Sequence, residues 1–345
     1  MEAAALGAQI LALGGGGGPV RLYEARLVLK SPAIVTARRT ERGYVRPHSY
    51  IPGSTLRGAI LTALYRAGKL GRDDLRREAQ EPTLLASPGL PLANGRRTLP
   101  ATPFMAACKR CDHRVDATAE AARALEQGGG LRFPLVCPRD GGPMEPLHGR
   151  FVYAEGGRLR SYRLRTFRAT SVGISKERAS AVKGLLFDYE AIAEGSAFWA
   201  WVAAPDNFNL PSSLEVAVGR GQSRGFGWAD LTLTPVEAKP VPERGAFIAL
   251  SPLAPVEWIR WRGESLRVGR VVGREITMQL GWDILQGKMR PIVRLARPGS
   301  LVLAEAGGDP AALRAGLPIS VADFKVVGLN SLIPLEEYTS LLGVR

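Results

Sequence analysis

The stretch Pro52-Gly-Ser-Thr-Leu-Arg-Gly-Ala-Ile-Leu-Thr-Ala-Leu-Tyr65 sets the fold class of this chain, because it turns a chain break into a helix within a few residues. Pro52-Gly53 interrupts what precedes it, Ser54 or Thr55 can cap, and the apolar spacing from Leu56 onward is helical. On the N-terminal side, Arg21-Leu-Tyr-Glu-Ala-Arg-Leu-Val-Leu29 reads as a strand. A polar, arginine-rich connection over residues 31–46 leads from it to His48-Ser-Tyr-Ile51. Strand, turn and helix are then followed by many strand-like runs and few helical ones, so the chain reads as α+β rather than doubly wound α/β. The amide donors at the helix start, with Ser54, Thr55 and Arg57, are available to an anion, although such a start is most often only a helix start.

A second stretch points to the same ligand class. Gly219-Arg-Gly-Gln-Ser-Arg-Gly-Phe-Gly-Trp228 interleaves four glycines with two arginines, amide and hydroxyl donors, and two aromatics. Glycines tolerate positive φ and let backbone approach a phosphate, arginines offer a planar fork, and Phe226 or Trp228 can stack on a base. Together with the strand, turn and helix around Gly53, the loop forms a candidate backbone clamp for a polyanion. The chain carries 46 basic residues, eight of them lysine, against 32 acidic ones, for a net charge of +14 and a pI near 10.2. That balance suits nucleic acid, with RNA the leading ligand. A general preference for arginine would produce the same excess without a ligand.

At 345 residues the chain exceeds a single typical domain, and 46% hydrophobic content supports real cores. No apolar run reaches the roughly 18 residues of a membrane helix, and Glu2 stands where a signal peptide would be basic, so a cytoplasmic location is expected. Residues 1–18 end in Leu13-Gly-Gly-Gly-Gly-Gly18 and read as a flexible tail or as a start placed too early.

The three cysteines are too few for a disulfide framework. Cys108-Lys-Arg-Cys111 is a metal knuckle, and Cys137-Pro-Arg-Asp-Gly-Gly142 resembles a second one with Asp140 in place of the last cysteine. The expected ligands are Cys108, Cys111, Cys137 and Asp140, with His113 or His148 as alternative fourth ligands, and a ribbon that has lost its metal as the other reading. Any bound zinc would be structural. A small alanine-rich helix lies between the knuckles near residues 118–127. Beyond them, Arg158, Arg160, Arg163, Arg165 and Arg168 punctuate residues 151–169. On a strand, 158, 160 and 168 share one face and 163 and 165 the other, so the run is either solvated or an RNA-facing hairpin. Ser196-Ala-Phe-Trp-Ala-Trp-Val202 is a strongly apolar strand, with Phe198, Trp199 and Trp201 in the core.

Tyr50-Ile-Pro-Gly-Ser-Thr-Leu-Arg-Gly58 and Gly219-Arg-Gly-Gln-Ser-Arg-Gly-Phe-Gly227 resemble the two signatures of the RAMP superfamily of CRISPR-associated proteins. The cysteine-bearing insertion, Ser171-Val-Gly-Ile-Ser-Lys-Glu-Arg178 and Gly184-Leu-Leu-Phe187 make the chain similar to the RAMP subunit characteristic of type III-D effector complexes. Weaker resemblance continues through Gly281-Trp-Asp-Ile-Leu-Gln-Gly-Lys288 and Ala296-Arg-Pro-Gly-Ser-Leu301. Asp140 departs from the cysteine of a ribbon.

The resemblance implies two ferredoxin-like (RRM-like) β-α-β-β-α-β modules with a zinc-ribbon-like insertion in the first. The N-terminal RAMP domain would cover 19–238, with the insertion at about 100–150 and the glycine loop at 219–228. Pro235-Val-Glu-Ala-Lys-Pro-Val-Pro242 punctuates the connector, and the C-terminal domain would cover 245–345. Within it, residues 245–250, 257–262, 270–280, 299–305 and 321–329 read as strands and 310–315 as a helix.

The function so implied is a non-catalytic subunit of a type III CRISPR ribonucleoprotein. It would hold guide RNA near its 5′ tag and contact other RAMP subunits and the large polymerase-like subunit, in antiviral defence. The expected RNA-binding residues are Gly53, Ser54, Thr55, Arg57, Gly219, Arg220, Gly221, Gln222, Ser223, Arg224, Gly225 and Phe226. The alternative is a RAMP endoribonuclease that processes guide precursor with His48 as acid or base. Against it, over a hundred residues follow the glycine loop, whereas processing enzymes of the superfamily carry that loop near the C-terminus. Metal-dependent cleavage through Asp188 or Asp206, and a zinc-ribbon docking module without RNA affinity, are further readings. The last leaves the charge and the glycine loop without a role.

Overall fold

The structure is a computed structural model describing residues 20–39, 45–174, 181–205, 208–283 and 287–343. The N-terminal glycine run, Ser175-Lys-Glu-Arg178, Asp206 and the side chains of Gly184-Leu-Leu-Phe-Asp188 lie outside the described part. The chain is a mixed α/β structure made mostly of strands in antiparallel sheets.

The central sheet runs, edge to edge, through Ser213–Ala217, Trp228–Val236, Val20–Leu29, Ala197–Pro205, Leu90–Ala93 and Arg96–Arg97, with Leu85–Ala86 also pairing with Ala197–Pro205. Every one of these pairings is antiparallel. Leaving Ser213–Ala217 aside, the strands from Trp228–Val236 to Leu90–Ala93 stand fourth, first, third, second in chain order. Residues of Ala197–Pro205 alternate between two cores because side chains on a strand alternate faces. Phe198, Ala200, Val202 and Ala204 meet Leu56, Ile60 and Leu64 of the helix Gly53–Arg66. Trp199, Trp201 and Ala203 face the other way, into a core shared with Phe247, Ile248 and Leu301. Phe198, Trp199 and Trp201 are all buried, and burying each such side chain contributes about 1.5–3 kcal/mol.

A second sheet has the order Leu332–Pro334, Arg244–Ala249, Leu301–Gly307, Glu264–Val272, Trp258–Trp261, again antiparallel, and in chain order these five stand fifth, first, fourth, third, second. The two sheets differ in where helices join their strands. In the first, helices Gly53–Arg66 and Arg72–Gln80 fill the early crossover, and strand Ser213–Ala217 takes the place of a helix in the late one. In the second, the early crossover has no α-helix among the described residues and Pro310–Ala315 fills the late one. Pro310–Ala315 starts where Asp309 accepts the Ala311 N–H at 2.7 Å, and its residues join the core between the sheets.

Several sequence expectations shift. The run 270–280 is two strands, Glu264–Val272 and Glu275–Gln279, broken at Gly273, where a Cβ would lie 1.9 Å from Ser300 Oγ. The run 321–329 is not the closing strand. Phe324–Val326 turns back on Ile319–Val321 through Ala322 at φ 49°, and the edge strand is Leu332–Pro334, followed by helix Leu335–Leu342. The insertion holds the three-stranded sheet Met144–Pro146, Met105–Cys108, Arg114–Asp116 and the helix Thr118–Glu126, which packs Ala121, Ala122 and Leu125 into the shared core. The arginine run spans strand Arg158–Tyr162, an irregular link carrying Arg163 and Arg165, and strand Thr166–Ile174, so the single-strand alternation does not apply across it.

Candidate nucleic-acid interface and metal-ligand cluster

All four glycines of the loop are left-handed, with φ 83° at Gly219, 80° at Gly221, 84° at Gly225 and 81° at Gly227. Two also allow close packing: a Cβ on Gly219 would sit 2.4 Å from Ile34 O, and one on Gly227 would sit 2.0 Å from Val218 O. Arg220 donates its backbone N–H to Ile34 O and Gly227 donates to Pro32 O, pinning both ends of the loop to residues 32–34. Between them Gly221 and Gly225 bracket the 3₁₀ turn Gln222–Arg224. Arg224 and Phe226 donate to Gly221 O, and Gly225 donates to Gln222 O. These bonds occupy five loop amides internally, so the loop is a rigid platform whose side chains, more than its backbone, face outward.

Three arginines surround this platform with no carboxylate partner among the described residues. Arg220 and Arg224 are exposed. Arg224 lies 5.9 Å over Tyr189 and 5.7 Å over Phe226, whose rings meet edge-on at 5.6 Å. Arg66, from the end of helix Gly53–Arg66, lies 6.0 Å over Trp228 and donates to Gln222 Oε1 at 3.5 Å. The neighbouring acids Glu215 and Asp230 are both held by Lys30, at 3.2 and 3.3 Å. Unpaired guanidiniums alternating with aromatic faces suit a single-stranded polyanion with stacking bases. Arg66 and Tyr189 were not among the expected site residues. Tyr189 lies two residues past the quoted Gly184-Leu-Leu-Phe187, but nothing in the sequence pairs either with the loop.

The helix start behaves differently from expectation. Arg57 is buried; its Nε donates to Leu84 O at 2.7 Å, and its Nη2 donates to Glu78 O at 2.7 Å and Glu78 Oε2 at 2.6 Å. Its guanidinium ties helix Arg72–Gln80 to helix Gly53–Arg66, so it is not available to RNA. Gly53 is buried too: a Cβ there would meet Ala86 O at 2.3 Å and Gly328 Cα at 2.9 Å. This glycine serves helix-to-backbone packing instead of phosphate approach. Ser54 is exposed and Thr55 half-buried. A helix of 14 residues is about 20 Å long. Its start lies against Ala86 and its end against the glycine loop, so the two expected halves of the clamp stand at opposite ends of the helix.

His48 donates its backbone N–H to Val35 O at 2.7 Å, and its ring packs 5.2 Å from Tyr50. Burial pulls its pKa down from 6.5 to about 4. At neutral pH the imidazole is then uncharged and weakly basic, a poor fit to either half of acid-base cleavage.

The two knuckles come together as near copies. Cys108 N–H donates to His113 O at 2.7 Å and Cys137 N–H to Gly142 O at 2.8 Å, each reaching five residues ahead, and left-handed residues follow both second ligands: Asp112 at φ 54° and Gly141 at φ 67°. The ligand atoms of Cys108, Cys111, Cys137 and Asp140 all lie within 4.8 Å of one another. Cys111 Sγ is 3.7 Å from Cys137 Sγ, and Cys108 Sγ is 3.4 Å from Asp140 Oδ1. Zinc bonds of about 2.3 Å to sulfur and about 2.0 Å to oxygen put tetrahedral edges near 3.8 Å for S–S and 3.5 Å for S–O, so this donor set fits the ion. Arg110 N–H donates to Cys108 Sγ at 3.3 Å, and the Gly142 N–H at 2.9 Å, with the Cys137 thiol, holds the Asp140 carboxyl well below its usual range. His148 is not the fourth ligand. Its Nδ1 hydrogen-bonds Ala101 O at 3.1 Å, and its Nε2 accepts from the Arg274 N–H at 3.3 Å. His113 contributes its carbonyl to the first knuckle, and its side chain is outside the cluster.

No family model matches the sequence, and no curated protein matches it. Among solved structures, a chain of the type III-B Cmr-beta complex bound to cognate target RNA aligns over 81% of this chain and 86% of its own, at 13% identity and TM-score 0.47. Oligomeric Cmr4 from Pyrococcus furiosus aligns over 63% of this chain and 100% of its own, at 12% identity and TM-score 0.27. A chain of a type IV-B CRISPR complex aligns over 65% and 94%, at 16% identity and TM-score 0.28. These likenesses are loose, and the functional reading rests on this chain's own residues.

Proposed function

We propose that this chain is a non-catalytic RNA-binding subunit of a type III, III-D-like CRISPR effector ribonucleoprotein. It holds guide RNA near the 5′ tag and contacts neighbouring RAMP subunits and the large polymerase-like subunit. The observation that carries the reading is the glycine platform, with Arg66, Arg220 and Arg224 unpaired beside Tyr189, Phe226 and Trp228. The guanidiniums neutralise phosphates, and the half-buried Phe226 and Trp228 offer faces to splayed bases. Phosphate contacts of this kind position RNA without reading its sequence. The net charge of +14 and the resemblance at Tyr50–Gly58 and Gly219–Gly227 support it.

Cys108, Cys111, Cys137 and Asp140 hold a zinc ion in this reading. The ion supplies cross-linking and no chemistry, since four protein ligands fill its tetrahedron. The two knuckles then brace the short sheet Met144–Pro146, Met105–Cys108, Arg114–Asp116. The test is binding and cleavage of a labelled repeat-derived RNA by wild type, Arg220→Ala/Arg224→Ala and His48→Ala. Binding without cleavage, weakened only by the arginine pair, is expected; site-specific cleavage lost with His48→Ala would overturn the non-catalytic role.

A further inference from the structure

Away from the glycine platform, three distant segments converge on one unpaired arginine. Arg297 begins the turn Arg297-Pro-Gly-Ser300, which is locked on all sides. Ser300 donates both its N–H and Oγ to Arg297 O, Gly299 donates to Ala249 O, and a Cβ on Gly299 would sit 2.2 Å from Ala101 O. Arg297 N–H donates in turn to Arg274 O, while the Arg274 N–H is held by His148 Nε2. The buried His148 ring therefore positions the base of this turn.

The Arg297 guanidinium lies over Gly149. A Cβ on Gly149 would be 2.5 Å from Cζ and 2.7 and 2.8 Å from the two Nη atoms. Those near-equal distances put the glycine against the face of the group. Gly149 is left-handed at φ 93°, so both its conformation and its lack of a side chain serve this stacking. Arg297 is half-buried and has no carboxylate partner among the described residues. Glu145 and Glu275, on adjoining elements, are paired with Arg150 at 2.6 Å and Arg294 at 3.7 Å. Arg297 acts electrostatically on Tyr50, the first residue of the Tyr50-Ile-Pro-Gly-Ser-Thr stretch, and Tyr50 packs against His48 at 5.2 Å and Phe151 at 6.2 Å.

We propose that Arg297, held over Gly149 beside Tyr50, is a second phosphodiester-binding pocket, which takes a backbone phosphate of the same RNA that crosses the glycine platform. A rigid, half-desolvated guanidinium without an acid is a pre-formed anion site, and the phosphodiester is the anion that the proposed function supplies. The inference rests on that function. It gives the Tyr50 end of the molecule an RNA contact that the buried Arg57 and Gly53 do not provide.

The test is filter binding of a labelled repeat-derived RNA, over a salt series, to wild type, Arg297→Gln, Arg297→Lys and Arg294→Gln. Arg294 is an exposed arginine already paired with Glu275, so its variant makes the same charge change outside the pocket. Arg297→Gln is expected to weaken binding about tenfold near physiological salt and lower the salt slope by about 0.7. Arg297→Lys is expected to lose about threefold, because lysine keeps the charge without the fork. Arg294→Gln should stay within about twofold of wild type. If wild type binds RNA and Arg297→Gln matches Arg294→Gln, the pocket is refuted, as it would be if Arg297 served a carboxylate of a partner protein. Should Arg297→Gln not fold, unchanged affinity in Arg297→Lys refutes it. If wild type does not bind RNA, the proposed function falls as well.

Discussion

Glu78→Gln tests whether Arg57 belongs to the fold or to the ligand. The Arg57 and Glu78 side chains are 10% and 7% exposed, and Glu78 also accepts from the Thr83 N–H, the Thr83 hydroxyl and the Leu84 N–H. Removing one member of a buried pair strands the other charge and costs about 3–5 kcal/mol. Glutamine keeps the acceptor oxygen, so the low end, about 3 kcal/mol, is expected. At about 2 °C or more per kcal/mol for a chain of this size, the melting temperature should fall by roughly 6 °C. Asp73→Asn is the control: its pair with Arg76 is 87% and 66% exposed, and its loss should cost under about 1 kcal/mol. Below its melting range, Glu78→Gln should bind RNA as wild type does. A loss under about 1 kcal/mol would refute the structural assignment. So would RNA affinity that collapses while the melting temperature holds.

Other predictions follow from the loop, His48 and the metal-ligand cluster. Gly227→Ala combines a positive φ with a Cβ 2.0 Å from Val218 O, and should destabilise far more than Gly225→Ala, whose Cβ meets nothing and which carries only the φ penalty of about 1–2 kcal/mol; urea denaturation compares them. His48 is held neutral by burial, so its contribution is present above pH 6.5 and is lost as pH falls from 6.5 through about 4. Its ceiling is about 3 kcal/mol at about 1.4 kcal/mol per pH unit, read as the difference between wild type and His48→Asn in melts across that window. Metal analysis of the purified chain should give about one zinc per molecule. Cys137→Ser should lose the zinc, Asp140→Cys should retain it under stronger chelation, and chelation should lower the melting temperature of wild type.

Much of the core was legible because its signals are local. The apolar strand around Trp199 and Trp201 alternates between two buried faces, and the spacings Cys108-x-x-Cys111 and Cys137-x-x-Asp140 mark the four residues of the ligand cluster. Helix Arg72–Gln80 was not legible, because its nine residues offer only Leu75 and Ala79, four apart on one face, as an apolar stripe too short to stand out among charged neighbours. It is held instead by the Gly71 N–H on Asp74 at 2.7 Å, by the pairs Asp73–Arg76 and Asp74–Arg77, and by Arg57 reaching Glu78. The role of Arg57 was hidden for the same reason: its partner lies 21 residues ahead, and a motif read locally cannot show it. The loop glycines were recognised, but their reason differs. Gly219 and Gly227 accommodate Ile34 and Val218, and the ligand face is made by side chains from Arg66 to Trp228.

The central claim is that the unpaired arginines of the glycine platform bind RNA backbone. The direct measurement is the salt dependence of repeat-derived RNA binding for wild type and Arg220→Ala/Arg224→Ala. Each phosphate contact on single-stranded RNA contributes about 0.7 to the slope of log affinity against log salt, so loss of two should reduce the slope by about 1.4, with affinity down at every salt concentration and melting temperature unchanged. An unchanged slope in the double variant, with wild type binding RNA, would place the RNA elsewhere and contradict the account.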